Sequence, residues 1–233
     1  LVISDALSLT NLTANLPGAN GGTGRFEALV NGKAPFTADL ARQRAGIAAE
    51  LRSENAGALL AAANFFSNAR GGRLDLRMVP LGPAGHYEGQ LTVTGGSLHG
   101  AGTAAEILSA LSVVGAIDQM SGAGIVFTEI GASFSLTPDR LTLKSAYAEG
   151  PSLGLSLDGT VALDTQRLDL QGAVSPVHFI NQVGGPRRGE GLLGVSFRVS
   201  GTTRTPEVEV IPLSLLTPGF LREMFRKPTA PGN

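Results

Sequence analysis

Between Gly124 and Val174 large apolar residues recur two apart in one short run after another, and this rhythm limits what the chain can become. The runs span 131–136, 140–144, 153–163 and 167–171. They carry Phe134 and Leu136, then Leu141 and Leu143, then Leu155, Leu157, Val161 and Leu163, then Leu168 and Leu170. Ser, Thr, Asp, Gln and Lys stand between them. Successive side chains point to opposite faces of a strand, so the pattern predicts an antiparallel meander, greasy on one face and wet on the other. Thr137-Pro138-Asp139, Glu149-Gly150-Pro151 and Asp164-Thr165-Gln166 supply the turns.

The same rhythm runs outward in both directions. Leu7 and Leu9 with 12–16, then 25–30, 34–40 and 45–52, read as about four strands, and Asn31-Gly32 is a two-residue hairpin turn. Strands follow at 73–79, 87–94, 192–199 and 207–211. Four helices are expected. Residues 55–68 form the first, capped by Asn55, with Leu59, Leu60, Ala63 and Phe66 on one face. The second opens at Thr103, with Glu106 at capping-box spacing, and turns Ile107, Leu108, Leu111 and Val114 inward. Short ones are expected at 176–183 and 217–226.

Area then constrains the architecture. A helix is about 10 Å wide and strands lie about 4.8 Å apart, so one helix covers about two strands. Four such helices leave roughly half of about thirteen strands uncovered. The fold class expected is therefore mainly β: a long, curved antiparallel sheet, trough or partly closed barrel, with about four short helices over part of its apolar face. Residues 1–54 read as strands continuing an upstream sheet, 55–227 as the main domain and 228–233 as a disordered tail. The start at Leu1 suggests a piece of a longer protein.

Charged residues make up only 16% of the chain, and 32 of its 233 residues are Gly, which suits an aliphatic sheet rather than a disordered chain. A net charge of −1 and few aromatics argue against nucleic acid. With no cysteine, disulfides and thiolate metal sites are excluded. The apolar stretches at 57–66 and 107–117 are too short to span a membrane as helices. His86, His99 and His178 lie on separate segments without metal-ligand spacing. No nucleophile elbow, zinc-protease helix or phosphate loop occurs, so neither an enzyme nor a cofactor is expected. Asp158, Asp164 and Asp169 read as solubilising residues on wet faces or turns.

Several segments resemble a known family. Gly122 to Phe127, Ala148 to Gly154, Gly172 to Pro176 with Asn181, Gly191 to Gly194 and Ser196 to Gly201 are similar to the C-terminal region of large AsmA-like proteins of the YhdP group. The most specific piece is Pro206 to Arg222 with Phe225, and 55–76 resembles the same region. Ile211 stands where the family pattern suggests Asn, and the 183–191 loop is short. The resemblance implies a periplasmic part of an inner-membrane-anchored protein of Gram-negative bacteria, with the anchor upstream, reaching toward the outer membrane. It implies lipid transport: phospholipid acyl chains bound or conducted along a hydrophobic β-groove.

On that expectation the candidate lining is Leu91, Val93, Phe134, Leu136, Leu141, Leu143, Leu155, Leu157, Val161, Leu163, Leu168, Leu170, Val195, Phe197 and Val199. The plainer reading of the same row is an ordinary closed core. Phe220, Leu221, Arg222, Met224, Phe225 and Arg226 are candidates for docking on a membrane or partner, or else plug the end of the sheet. Arg187-Arg188 either meets lipid phosphate or is solvated. The rival function is an assembly scaffold for outer-membrane biogenesis, binding a periplasmic or outer-membrane partner protein through its sheet edges or C-terminal helix.

Overall fold

The computed structural model describes residues 2–4, 7–16, 23–62, 68–99, 124–151, 153–176, 195–203 and 205–211. Among these the chain is almost wholly a meander. The N-terminal strands are β1 (Val2–Ser4), β2 (Leu7–Asn15), β3 (Gly24–Val30), β4 (Ala34–Gln43) and β5 (Gly46–Ser53). After a helix, α1 (Ala56–Ala62), and a two-residue β6 (Ala69–Arg70) come β7 (Arg73–Pro80) and β8 (Tyr87–Thr94). Two more short strands, β9 (Ser97–Leu98) and β10 (Ile125–Val126), precede β11 (Glu129–Leu136), β12 (Arg140–Glu149), β13 (Leu153–Ala162) and β14 (Leu168–Pro176). The last two are β15 (Val195–Gly201) and β16 (Pro206–Ile211).

Each long strand pairs antiparallel with its neighbour in sequence, in the order β1-β2-β3-β4-β5-β7-β8-β11-β12-β13-β14-β15-β16. The sheet does not close on itself, so the barrel alternative falls away. It crosses residue 54 without a break, since Ala49 of β5 pairs with Met78 of β7. The twelve strands from β2 onward, at about 4.8 Å each, make it roughly 50 Å wide.

The registers put one set of residues on one face from edge to edge. Leu76 sits opposite Leu91, Leu91 opposite Ala132, Phe134 opposite Leu143, Leu141 opposite Val161, and Leu170 opposite Val199. Two bulges keep this phase. In β2 the apolar residues change from odd to even positions, Leu9 to Leu12, because Thr10 pairs with Leu29 but Thr13 with Glu27. Asn11, at φ 51°, sits in that extra residue's place. In β12 the shift between Leu143 and Ala146 carries the apolar face over to Ala146 and Ala148.

Two helical details carry the local logic. At the start of α1 the amides of Ala56 and Gly57 donate to the carbonyls of Gly72 (2.7 Å) and Gly71 (2.8 Å). The amide of Ala58 donates to Asn55 Oδ1 at 2.9 Å, which is the cap expected from the sequence. The turn after β3 has Asn31 at φ 48° and Gly32 at φ 71°, as its residues suggest, but Val30 pairs with Ala34, so the connection has three residues, 31–33, where two were expected. Asn31 also ties three elements together: its Oδ1 accepts from Ser8 N (2.7 Å) and its Nδ2 donates to the Ala62 carbonyl at the end of α1 (2.6 Å). Asn31→Ala is expected to cost about 1–3 kcal/mol in urea unfolding, because it loses both the bonds and the turn preference. Asn31→Gly, which keeps the turn, is expected to cost less.

Among the described residues α1 is the one helix, where four were expected. The predicted helix opening at Thr103, the one at 217–226, the docking residues Phe220 to Arg226, and Arg187-Arg188 lie outside the described residues. Of the predicted 176–183 helix only Pro176 is described, and it ends β14 instead, opposite Leu153. Among the described residues further cover comes from a second sheet of three two-residue strands, β10-β9-β6. Strands this short have no periodicity for a sequence to show.

Candidate functional site

The connections divide the sheet into two unlike rims. At one rim the connections are the eight residues 16–23 and then tight turns, 44–45, 81–86, 137–139, 163–167 and 202–205. The longer excursions at 54–72, 95–128 and 177–194 all leave from the opposite rim, which has short connections as well, at 31–33 and 150–152. Both described covering pieces therefore sit beside that second rim. Ala56, Leu59 and Ala62 of α1 pack with Ala28, Val30, Ala34, Phe36, Leu74 and Val93. Ile125 of β10 and neighbouring Phe127 pack with Ala148, Leu153, Leu170, Val174, Val195, Phe197 and Val199, joined by Leu98 of β9.

The candidate lining residues divide accordingly. Val93, Leu170, Val195, Phe197 and Val199 are buried in these two clusters and form closed core. Leu91, Phe134, Leu136, Leu141, Leu143, Leu155, Leu157, Val161 and Leu168 share the same face but stay only half-buried. Leu163 is a correction: it lies in the turn after β13, 42% exposed, where no strand face constrains it. Two of the aromatics on this face lie over glycine. Phe134 faces Gly89 across β11 and β8, and a Cβ at Gly89 would fall 2.1 Å from its ring. Phe197 faces Gly172, where a Cβ would lie 2.7 Å from its ring. Each ring thus fills the space over a residue with no side chain, so the strands stay close-packed beneath it.

The opposite face is laced with charge on β3 to β8. Arg52 of β5 meets Asp39 (3.4 Å), Glu50 (2.7 Å) and Asp75 (3.3 Å), and Arg77 meets Glu50 at 3.0 Å. Lys144 reaches Glu88 at 2.6 Å. Exposed pairs of this kind add little stability, but they keep this face in water. A depression of about 640 Å³ lies here too, lined by Arg25, Glu27, Thr37, Arg52 and other residues. Leu29, Pro35 and Phe36 line it as well, so its walls are mixed.

One polar-face expectation is overturned. Asp158, read as solubilising, is 1% exposed, and its carboxylate accepts from Gln171 Nε2 at 2.8 Å. Ser156 and Ser175 beside it are equally buried. In the turn after β11 the Thr137 hydroxyl donates to Asp139 at 2.7 Å and, ahead of the backbone and Arg140, holds that carboxyl below its usual range. Among the described residues no three His, Asp or Glu side chains gather as a metal would need, and no helix is long and apolar enough to cross a membrane. His86 and His99 are far apart in the chain, and His99 pairs with Ser97 at 2.7 Å.

Nothing in the sequence's periodicity told the half-buried leucines from the buried ones. What separates them is what packs over each one, and not distance along the strand: Leu155, nearer the rim of long connections than Leu170 and Val199, is half-buried while those two are buried. No protein-family model, curated protein or solved structure matches the chain, so its function must be argued from the sheet itself.

Proposed function

We propose that the apolar face receives the acyl chains of phospholipids, in a non-enzymatic periplasmic domain of the AsmA-like kind that binds or conducts lipid between inner and outer membranes. The observation that carries this is one continuous apolar face on an open sheet, buried in two clusters and only half-buried between and beside them. A soluble domain rarely leaves so much aliphatic strand surface in contact with water without a partner for it. Each CH₂ of a tail laid there gains about 0.8 kcal/mol over water. A lining of Leu, Val, Ala and Phe offers similar energy at successive positions, which favours movement along the face over capture at one point.

The second reading, a scaffold that binds a partner by strand addition, draws on β16. Among the described residues its outer edge has no strand beside it, and Ile211 at its end is exposed. Native mass spectrometry of the purified protein separates the two. Phospholipid carried through purification is the expected result. A protein that stays lipid-free after incubation with phospholipid vesicles contradicts the acyl reading and leaves the scaffold.

A further inference from the structure

We infer that Arg42, with Arg44 beside it in the β4–β5 turn, anchors the phosphate of a lipid whose tails lie on the apolar face. The inference rests on the acyl-chain reading above and adds a headgroup site to it.

Register places Arg42 on the apolar face: it pairs with Ile47, two residues on from the Leu40–Ala49 pair of that same face. Followed from β2 to β16 through the described registers, that face carries no other charged side chain. Arg42 stands at the rim away from α1 and the small sheet, and both it and Arg44 are exposed. Four arginines of the polar face are paired, though Arg140 and Arg198 on that face also have no carboxylate within 4 Å among the described residues. Arg25, Arg52, Arg73 and Arg77 each hold a carboxylate within 4 Å, whereas among the described residues Arg42 and Arg44 hold none.

A guanidinium at the border of an aliphatic surface has its stem on the oil and its fork in the water. That is the geometry a phospholipid presents in reverse, with tails on the face and phosphate at the border. The fork matches phosphate oxygens two at a time, and no internal carboxylate competes for it. The neighbouring strand ends at this rim offer Pro80, followed by an exposed Leu81, and are free of acidic groups. The ligand class is therefore a diacyl lipid with an anionic phosphate, in preference to a neutral diacylglycerol.

The test compares the native protein with Arg42→Gln and the Arg42→Gln/Arg44→Gln pair. Binding is measured for phosphatidylglycerol and for diacylglycerol with the same tails. Inorganic phosphate alone is the control for a site that ignores the tails. The expected result is a loss of phosphatidylglycerol affinity of about tenfold or more in the double variant, with diacylglycerol binding unchanged. Inorganic phosphate is expected to compete only weakly. Equal affinity of native and double-variant protein for phosphatidylglycerol overturns the anchor. Phosphate alone binding as tightly as the phospholipid overturns it too. If neither lipid binds the native protein, the acyl-chain reading itself has failed, and that outcome is distinct from a failed anchor.

Discussion

Leu157→Asp is expected to fold and to lose its lipid. Leu157 sits on the apolar face opposite Ala146 on one side and Gly172 on the other, at the edge of the cluster around Phe197, and is itself only half-buried. A carboxylate there keeps its contact with water in the lipid-free protein. The folding cost is accordingly limited to lost leucine contacts, about 1–2 kcal/mol. Covering that charge with an acyl chain is a different matter, because a buried carboxylate without a partner is strongly disfavoured. Phospholipid recovered with the protein should fall by about tenfold or more, while circular dichroism stays native. A variant that unfolds instead would place Leu157 inside a closed core.

Phe197→Ala is expected to give the opposite outcome, a large loss of stability. Phe197 is 1% exposed, lies over Gly172, and shares its cluster with Leu170, Val174, Val195 and Val199. Truncating a buried phenylalanine typically costs about 3–5 kcal/mol, through lost transfer energy and the cavity left behind. That is a large share of the 5–15 kcal/mol by which an ordinary domain is stable. Urea unfolding should show a clearly lower midpoint, and a midpoint close to the native value would mean that this end of the sheet is not a packed core.

The contrast between these two positions marks what the sequence could and could not convey. Both are apolar residues on an alternating strand, and the alternation put both on the same face, as the registers have it. The strands at 25–30, 34–40, 73–79 and 87–94 were legible for the same reason, as was the place of the Asn31-Gly32 turn, because period two and turn chemistry are local properties. Bulges were not. The change of phase from Leu9 to Leu12 looks like two separate runs until Asn11 is seen to absorb one residue. The resemblance of the C-terminal half pointed toward lipid, but it did not distinguish Leu157 from Phe197. Burial depends on what lies over a residue, and β6, β9 and β10 are too short to leave a pattern. Asp158 was misjudged for a related reason. Its alternation does put it on the polar face, yet that face is itself buried around β13 and β14.

Arg42 is a case where a residue breaks the pattern and the break is informative. In the sequence reading the strand stops at Leu40 and Arg42 falls in the connection after it, whereas β4 runs on to Gln43. Only the pairing with Ile47 shows that it belongs to the apolar face.

The chain has no cysteine, so single cysteines report on single positions without background. The direct measurement is the reaction of a small thiol reagent with Leu143→Cys, Leu157→Cys and Val161→Cys in the folded protein, with and without phospholipid, against Phe197→Cys as the buried reference. Fast reaction at the first three, slowed by phospholipid, with Phe197→Cys inert throughout, is the result expected of an open acyl-binding face. If the three react as slowly as Phe197→Cys in the lipid-free folded protein, the face is closed and the account is contradicted.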